Sequence, residues 1–155
     1  MAIARHGPLN GRQWLMAVAE EARYRLRLAE GFLVEAREDA TLKRWRSCVH
    51  NSQLVAENAA KALLALTGPV GRTHNPGPAL RAAIHAGLYA PEVKDFAGQV
   101  AECAELMGPD VHIESDYGDE SSWRTPWELV DEADASRALE FAIRAAHNAG
   151  LIVRR

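Results

Sequence analysis

The chain has 155 residues, of which 48% are hydrophobic, 25% charged and only 6% aromatic, and its net charge is −3. This length is typical of one domain, and we predict a single domain over residues 1–155. The only two cysteines, Cys48 and Cys103, exclude a disulfide-built fold and a cysteine-only zinc site. We find no apolar run of membrane-spanning length and no apolar core of a signal peptide near the N-terminus, so we expect a cytoplasmic protein.

Residue usage favours helices. The chain contains 28 alanines and 15 arginines, both strong helix formers, and few β-branched residues. Its charge is uneven: residues 1–53 carry nine basic and six acidic residues, a net +3, whereas the remainder carries nine basic and 15 acidic residues, a net −6. We therefore expect any anionic ligand near the first helices, away from the acidic later segments.

Apolar spacing predicts an all-α fold, an up-and-down antiparallel bundle of five helices. The cap residue Asn10 begins the first helix, Gly68 and Pro69 terminate the second, and Asp131 or Asp134 caps the last. A break over residues 38–41 separates the first two helices, and residues 110–130 form a long irregular segment. The predicted helices occupy about residues 10–37, 40–66, 78–88, 91–107 and 131–149.

Arginine and histidine side chains provide the first candidate site. Arg46 and His50 are four residues apart and share a helix face, so an arginine that holds a phosphate lies beside a histidine that transfers protons. Arg44 is six residues from His50 and about 120° away around the helix. The pair Arg46 and His50 is the catalytic candidate and Arg44 a phosphate ligand, and a solvated helix face is the alternative.

Further candidates surround the loop before the third helix. His74 lies near a predicted helix N-terminus, where anions bind, and Lys61 is a second possible phosphate ligand. The loop tryptophans Trp123 and Trp127 either stack on a base or pin their loop to the bundle. No motif of a phosphate loop, dinucleotide fold or zinc protease is present, and we predict neither a cofactor nor a metal ion. A metal site built from His74, His85, His112 or His147 would require the fold to bring these distant residues together.

The middle of the chain contains a predicted small-residue helix over residues 56–64, which includes Lys61, and then Gly68, the pair Thr73-His74 and Leu80. In these features it resembles the HEPN family (higher eukaryotes and prokaryotes nucleotide-binding domain). Tyr117-Gly118, Pro126 and the last helix also resemble the family pattern. The likeness spans about residues 12–152.

This resemblance implies an antiparallel helical bundle that forms a homodimer, often beside a small nucleotidyltransferase in a toxin–antitoxin pair. Active members are metal-independent ribonucleases with an arginine and a histidine four to six residues apart, late in the chain. Here the late pair Arg144 and His147 is too closely spaced, and Arg44 and His50 lie on the second helix. Two functions are favoured: a nucleotide-binding or interaction module, or an endoribonuclease whose site forms across a dimer. A purely structural bundle is the third alternative.

Overall fold

Seven helices and no strand make up residues 8–155, the part of the chain that the computed structural model describes. The all-α bundle predicted from the apolar spacing is confirmed, although with two more helices than expected. The helices are α1 (Gly11–Thr41), α2 (Trp45–Ala65), α3 (Gly77–His85), α4 (Pro91–Leu106), α5 (Pro109–Tyr117), α6 (Pro126–Leu129) and α7 (Glu132–Val153).

The first helix begins where its cap predicts and ends later than expected. Asn10 Oδ1 accepts from Gln13 N, and Gln13 Oε1 accepts from Asn10 N, a complete capping box. The break expected at residues 38–41 is wrong, because α1 continues through Thr41. Asp39 is buried there and accepts a 2.8 Å hydrogen bond from Asn51 of α2, so its helical position is stabilised by packing. The chain reverses at residues 42–44, where Lys43 has a φ of 58°.

Helix α2 is the centre of the bundle, because it contacts each of the other six helices. Its alanines and leucine pack against α1 on one side and α7 on the other, and several of them have no exposed surface. The corresponding small residues of α7 are equally buried. The completely buried members are Ala56, Ala59, Ala60, Ala62, Leu63, Ala65, Ala142, Ala145 and Ala149.

The segment after α4 differs most from the sequence-based prediction. Residues 110–130, expected to be irregular, contain α5 and α6. Pro109 starts α5 at its first helical position, and Thr125 caps α6 together with Glu128. Neither helix has the apolar periodicity on which the prediction depended: α5 is largely polar and α6 has four residues.

The remaining helix ends follow proline, glycine and capping residues closely. Helix α3 starts at Gly77, one residue before the predicted Pro78, and ends at His85, before Gly87 with its φ of 74°. Asp131 caps α7 through a hydrogen bond from Asp134 N. The predicted stop at Ala149 is too early, because Gly150 is buried inside a helix that runs to Val153. Within residues 8–155, no helix has the length and hydropathy that crossing a bilayer requires.

Candidate functional site

A basic cleft lies at the N-terminus of α2. It has a volume of about 360 Å³. Among residues 8–155, no side chain caps this helix end, so the first backbone N–H groups of α2 are open to an anion. Three cationic side chains lie around them. The residues that line the basic cleft are Lys43, Arg44, Trp45, Arg46, Ser47, Trp127 and Val130.

Trp127 provides an aromatic surface beside these cations. Its side chain is 73% exposed, and the Arg46 guanidinium lies 5.7 Å from its ring centroid. Trp123 is 88% exposed. Neither indole is buried against the bundle, and Trp127 touches it through Arg46 of α2. Of these two indoles only Trp127 borders the basic cleft, and Trp45, which also lines it, is partly buried against the core, so Trp127 is the exposed indole that is placed to stack on a base bound there.

Arg46 connects the basic cleft to α5. Its Nε donates to Ser115 O at 2.6 Å, and its Nη2 donates to Asp116 Oδ1 at 3.2 Å. Within residues 8–155, Nη1 donates no hydrogen bond and is available to a ligand. Arg46 therefore holds the C-terminal part of α5 against α2 while its outer edge faces the cleft.

Three histidines meet next to Arg46. Asp116 lies among them: its Oδ1 is 2.9 Å from His50 Nδ1, and its Oδ2 is 3.5 Å from His112 Nε2. The imidazoles of His50 and His112 are 6.1 Å apart between centroids, and His74 stacks on His112 at 5.5 Å. We refer to His50, His74, His112 and Asp116 as the histidine cluster. It joins residues of α2, of α5 and of the loop before α3.

The position of His50 affects its charge. Burial is the main cause that lowers the pKa of His50, and the nearby charges of Arg46 and His112 lower it further. Asp116 acts in the opposite direction, without reversing the shift. His50 Nδ1 is buried and, although close to the carboxylate, is not aligned for a hydrogen bond. The ring therefore favours its neutral form, which is able to accept a proton.

Behind His74 lies a buried charge pair. Lys61 Nζ is 2.7 Å from Glu57 Oε1, and Gln53 Nε2 donates to Glu57 Oε2 at 3.1 Å. His74 Nδ1 lies 3.4 Å from the same carboxylate but is 74% exposed. Burial acts to raise the pKa of Glu57, yet the hydrogen bonds from Lys61 and Gln53 outweigh it and lower that pKa.

The structure brings together most of the residues that the sequence singled out. Arg46, His50 and His74 lie in or beside the histidine cluster. Arg44 lines the basic cleft with its side chain 61% exposed, 3.6 Å from Asp39. Lys61 lies behind the cluster, buried against Glu57, and does not face a ligand directly.

Two cluster members were not selected from the sequence. Asp116 was part of an acidic segment expected to lie away from the site, and that expectation is wrong because Arg46 donates a hydrogen bond to its carboxylate and His50 Nδ1 lies 2.9 Å from it. His112 was considered only as a metal ligand with His74, His85 and His147, whereas His85 and His147 are exposed on α3 and α7. The spacing of four residues between His112 and Asp116 was the available signal, and it is informative only on a helix.

Comparison with known families agrees with this architecture. The family model of the HEPN domain matches residues 22–147. The chain belongs to the HEPN family. The matched region extends from the middle of α1 to near the end of α7 and includes both the basic cleft and the histidine cluster. No curated protein and no solved structure matches this HEPN chain. Membership supports a nucleotide-binding or ribonuclease-type module at the level of the family.

Proposed function

We propose that the basic cleft binds a nucleotide or a short stretch of single-stranded RNA. The observation that carries this proposal is the uncapped N-terminus of α2, which lies in one cleft with Arg44, Arg46 and an exposed Trp127. A phosphate binds the free N–H groups and the arginines, and a base stacks on the indole.

The phosphate half of this site combines a helix end with two planar cations. The first turn of a helix carries a partial positive charge and unpaired N–H donors. Guanidinium groups suit the bidentate geometry of phosphate. Arg44 is the more accessible of the two, whereas Arg46 contributes the nitrogen that its contacts with α5 leave free.

Two exposed tryptophans of one segment allow a matched test of the base half. A fluorescently labelled single-stranded RNA oligonucleotide is titrated at low salt with the wild type, Trp127→Ala and Trp123→Ala. Since base–aromatic stacking contributes about 1–3 kcal/mol, Trp127→Ala should weaken binding roughly tenfold. Trp123→Ala should bind like the wild type, because Trp123 does not line the cleft. Equal affinity of all three proteins would contradict the proposal.

A metal-independent endoribonuclease is the second candidate, favoured by the histidine cluster. In metal-independent cleavage of RNA the 2′-hydroxyl oxygen attacks the adjacent phosphorus and the bond from phosphorus to the 5′ oxygen breaks. One group must accept the proton of the hydroxyl, and another must donate a proton to the leaving 5′ oxygen. The rings of His50 and His112 lie 6.1 Å apart beside Arg46, so one cluster holds both kinds of group and a cation for the phosphate. Lys61 is a supporting charge behind His74 in this scheme.

Cleavage is measured with the same RNA in the presence of chelator. His50→Ala should abolish it, and His85→Ala on the exposed surface of α3 should leave it unchanged. If the wild type binds the RNA but does not cleave it, the endoribonuclease hypothesis is rejected and the nucleotide-binding hypothesis is retained. Cleavage that survives His50→Ala would assign the chemistry to other residues.

A homodimer is part of the proposal. The small residues of α2 and α7 are buried inside the bundle and are not available as a contact surface. In α1, however, Ala22 is the first buried residue, and Leu15 and Met16 before it are 61% and 59% exposed. Analytical ultracentrifugation should show that the wild type is a dimer. The variant Leu15→Ser should dissociate into monomers at a higher protein concentration than the wild type does.

The expected nucleotidyltransferase partner and the cytoplasmic location remain predictions. The partner was expected from the resemblance to the HEPN family. The match to the family model places this chain in that family and gives no information about a partner. Co-expression with a nucleotidyltransferase encoded beside this chain, followed by size-exclusion chromatography, tests the pairing. Failure to co-elute would restrict the proposal to a module that acts without that partner.

A further inference from the structure

We infer that His50, His112 and Asp116 form a binding site for a divalent transition metal ion of the zinc type. One ligand atom from each residue lies within 4.8 Å of the other two. Two imidazoles and one carboxylate are a ligand set that zinc and its neighbours prefer, and three protein ligands leave a coordination position open. The inference concerns metal binding and does not depend on the proposed nucleotide or RNA site.

The distances fit coordination with little movement. Metal–ligand bonds of about 2.0–2.2 Å bring ligand atoms of one ion to about 3–4 Å from each other. Asp116 Oδ1 lies 2.9 Å from His50 Nδ1 and Asp116 Oδ2 lies 3.5 Å from His112 Nε2, so each imidazole is already at such a distance from one oxygen of the carboxylate. Asp116 and His112 are one turn apart on α5, which fixes their relative position.

The state of His50 provides an independent observation. Its Nδ1 is buried and close to the carboxylate but lacks an aligned hydrogen bond within residues 8–155. A buried nitrogen without a partner is costly, and a metal ion between His50 and Asp116 would satisfy both groups. The exposed fractions of the three side chains, 22–27%, leave a path for the ion from solvent.

Arg46 determines how tightly such an ion binds. Its Nη2 occupies Asp116 Oδ1 and places a positive charge next to the site. Metal binding therefore replaces this hydrogen bond and proceeds against repulsion. Magnesium, which prefers oxygen ligands and keeps its water, should not compete.

The test is calorimetric titration of the metal-free protein with Zn²⁺. We expect one ion per chain for the wild type, at least tenfold weaker binding for His112→Ala and Asp116→Asn, and unchanged binding for the matched variant His85→Ala. Mg²⁺ should give no heat of binding. Equal zinc affinity of the wild type and His112→Ala, or no saturable binding at all, would overturn the inference.

A measurement on the wild type avoids any effect of the substitutions on folding. The ¹⁵N resonances of the histidine rings are followed during addition of Zn²⁺. Nitrogens of His50 and His112 should shift as they become ligands, whereas those of His85 and His147 should not. Shifts confined to histidines other than His50 and His112 would place the ion elsewhere and contradict this site.

Discussion

Glu57 and Lys61, one turn apart on α2, form an ion pair that is almost completely shielded from water. Their side chains are 5% and 9% exposed, and the ammonium lies 2.7 Å from the carboxylate. The pair lies on the central helix of the bundle, so neither charge has an alternative partner in bulk solvent. Two charges in such a place stabilise the fold only together, because each one alone would be buried without compensation.

Removal of one charge of this pair should therefore destabilise the protein strongly. We expect Glu57→Ala to lower the free energy of unfolding by about 3–5 kcal/mol, since Lys61 is then buried alone. The matched substitution Glu105→Ala breaks a surface ion pair with Arg81 and should cost less than about 1 kcal/mol. Urea unfolding followed by circular dichroism measures both values. Similar losses for the two variants would show that burial of the pair is unimportant.

Acidification should weaken the same interaction. Because Lys61, Gln53 and His74 lower the pKa of Glu57 below its ordinary 4.5, ionised Glu57 contributes its full stabilisation above about pH 4.5. This contribution is lost as the pH falls through the lower folded pKa. The difference in unfolding free energy between the wild type and Glu57→Gln should therefore decrease between pH 7 and pH 3. A constant difference would contradict the shift.

Gly118 should not tolerate a side chain. It ends α5 with a φ of 75°, and a Cβ atom there would collide with the carbonyl oxygen of Arg124 and lie 3.0 Å from Pro126 N. We expect Gly118→Ala to cost at least about 1–3 kcal/mol through backbone strain, with the collision in addition. Gly98→Ala is the control, because Gly98 lies in α4 with open space around it. Gly98→Ala should stabilise the protein by about 0.4–1 kcal/mol. The melting temperatures of the two variants, measured by thermal unfolding, distinguish these outcomes.

Both thiols should be unreactive in the folded protein. Burial raises the pKa of Cys103 to about 11 and is also the largest cause that raises the pKa of Cys48. Reaction with a thiol reagent needs the thiolate, so at pH 8 the native protein should release almost no chromophore. In denaturant, two thiols per chain should react. Rapid labelling of one thiol under native conditions would show that its surroundings open readily.

The sequence predicted the long helices well because their signals are local. The capping residues Asn10 and Asp131 and the proline-led start of α4 act within a few residues of their own position. It failed for α5, because Pro109–Tyr117 has no apolar stripe, and contacts from α2 stabilise this helix from outside. Local pattern does not report such contacts.

The candidate site was predicted in part for the same reason. Arg46 and His50 were selected because their spacing on a long helix is readable from the sequence. Asp116 and His112 reach the site through a tertiary contact between α5 and α2, about 70 residues apart in the chain. The exposure of Trp127 could not be predicted from the sequence either, because a tryptophan in a loop can be buried or exposed.

The double attachment of Arg46 to Ser115 and Asp116 has a consequence for how the molecule responds to ligands. One guanidinium fastens α5 to the central helix and also borders the basic cleft. An anion that draws Arg46 outward weakens that fastening, and by reciprocity anything that loosens α5 frees Arg46 for the anion. Under the proposed function, an anion that displaces Arg46 from α5 would couple occupancy of the cleft to the stability of α5 through this one side chain.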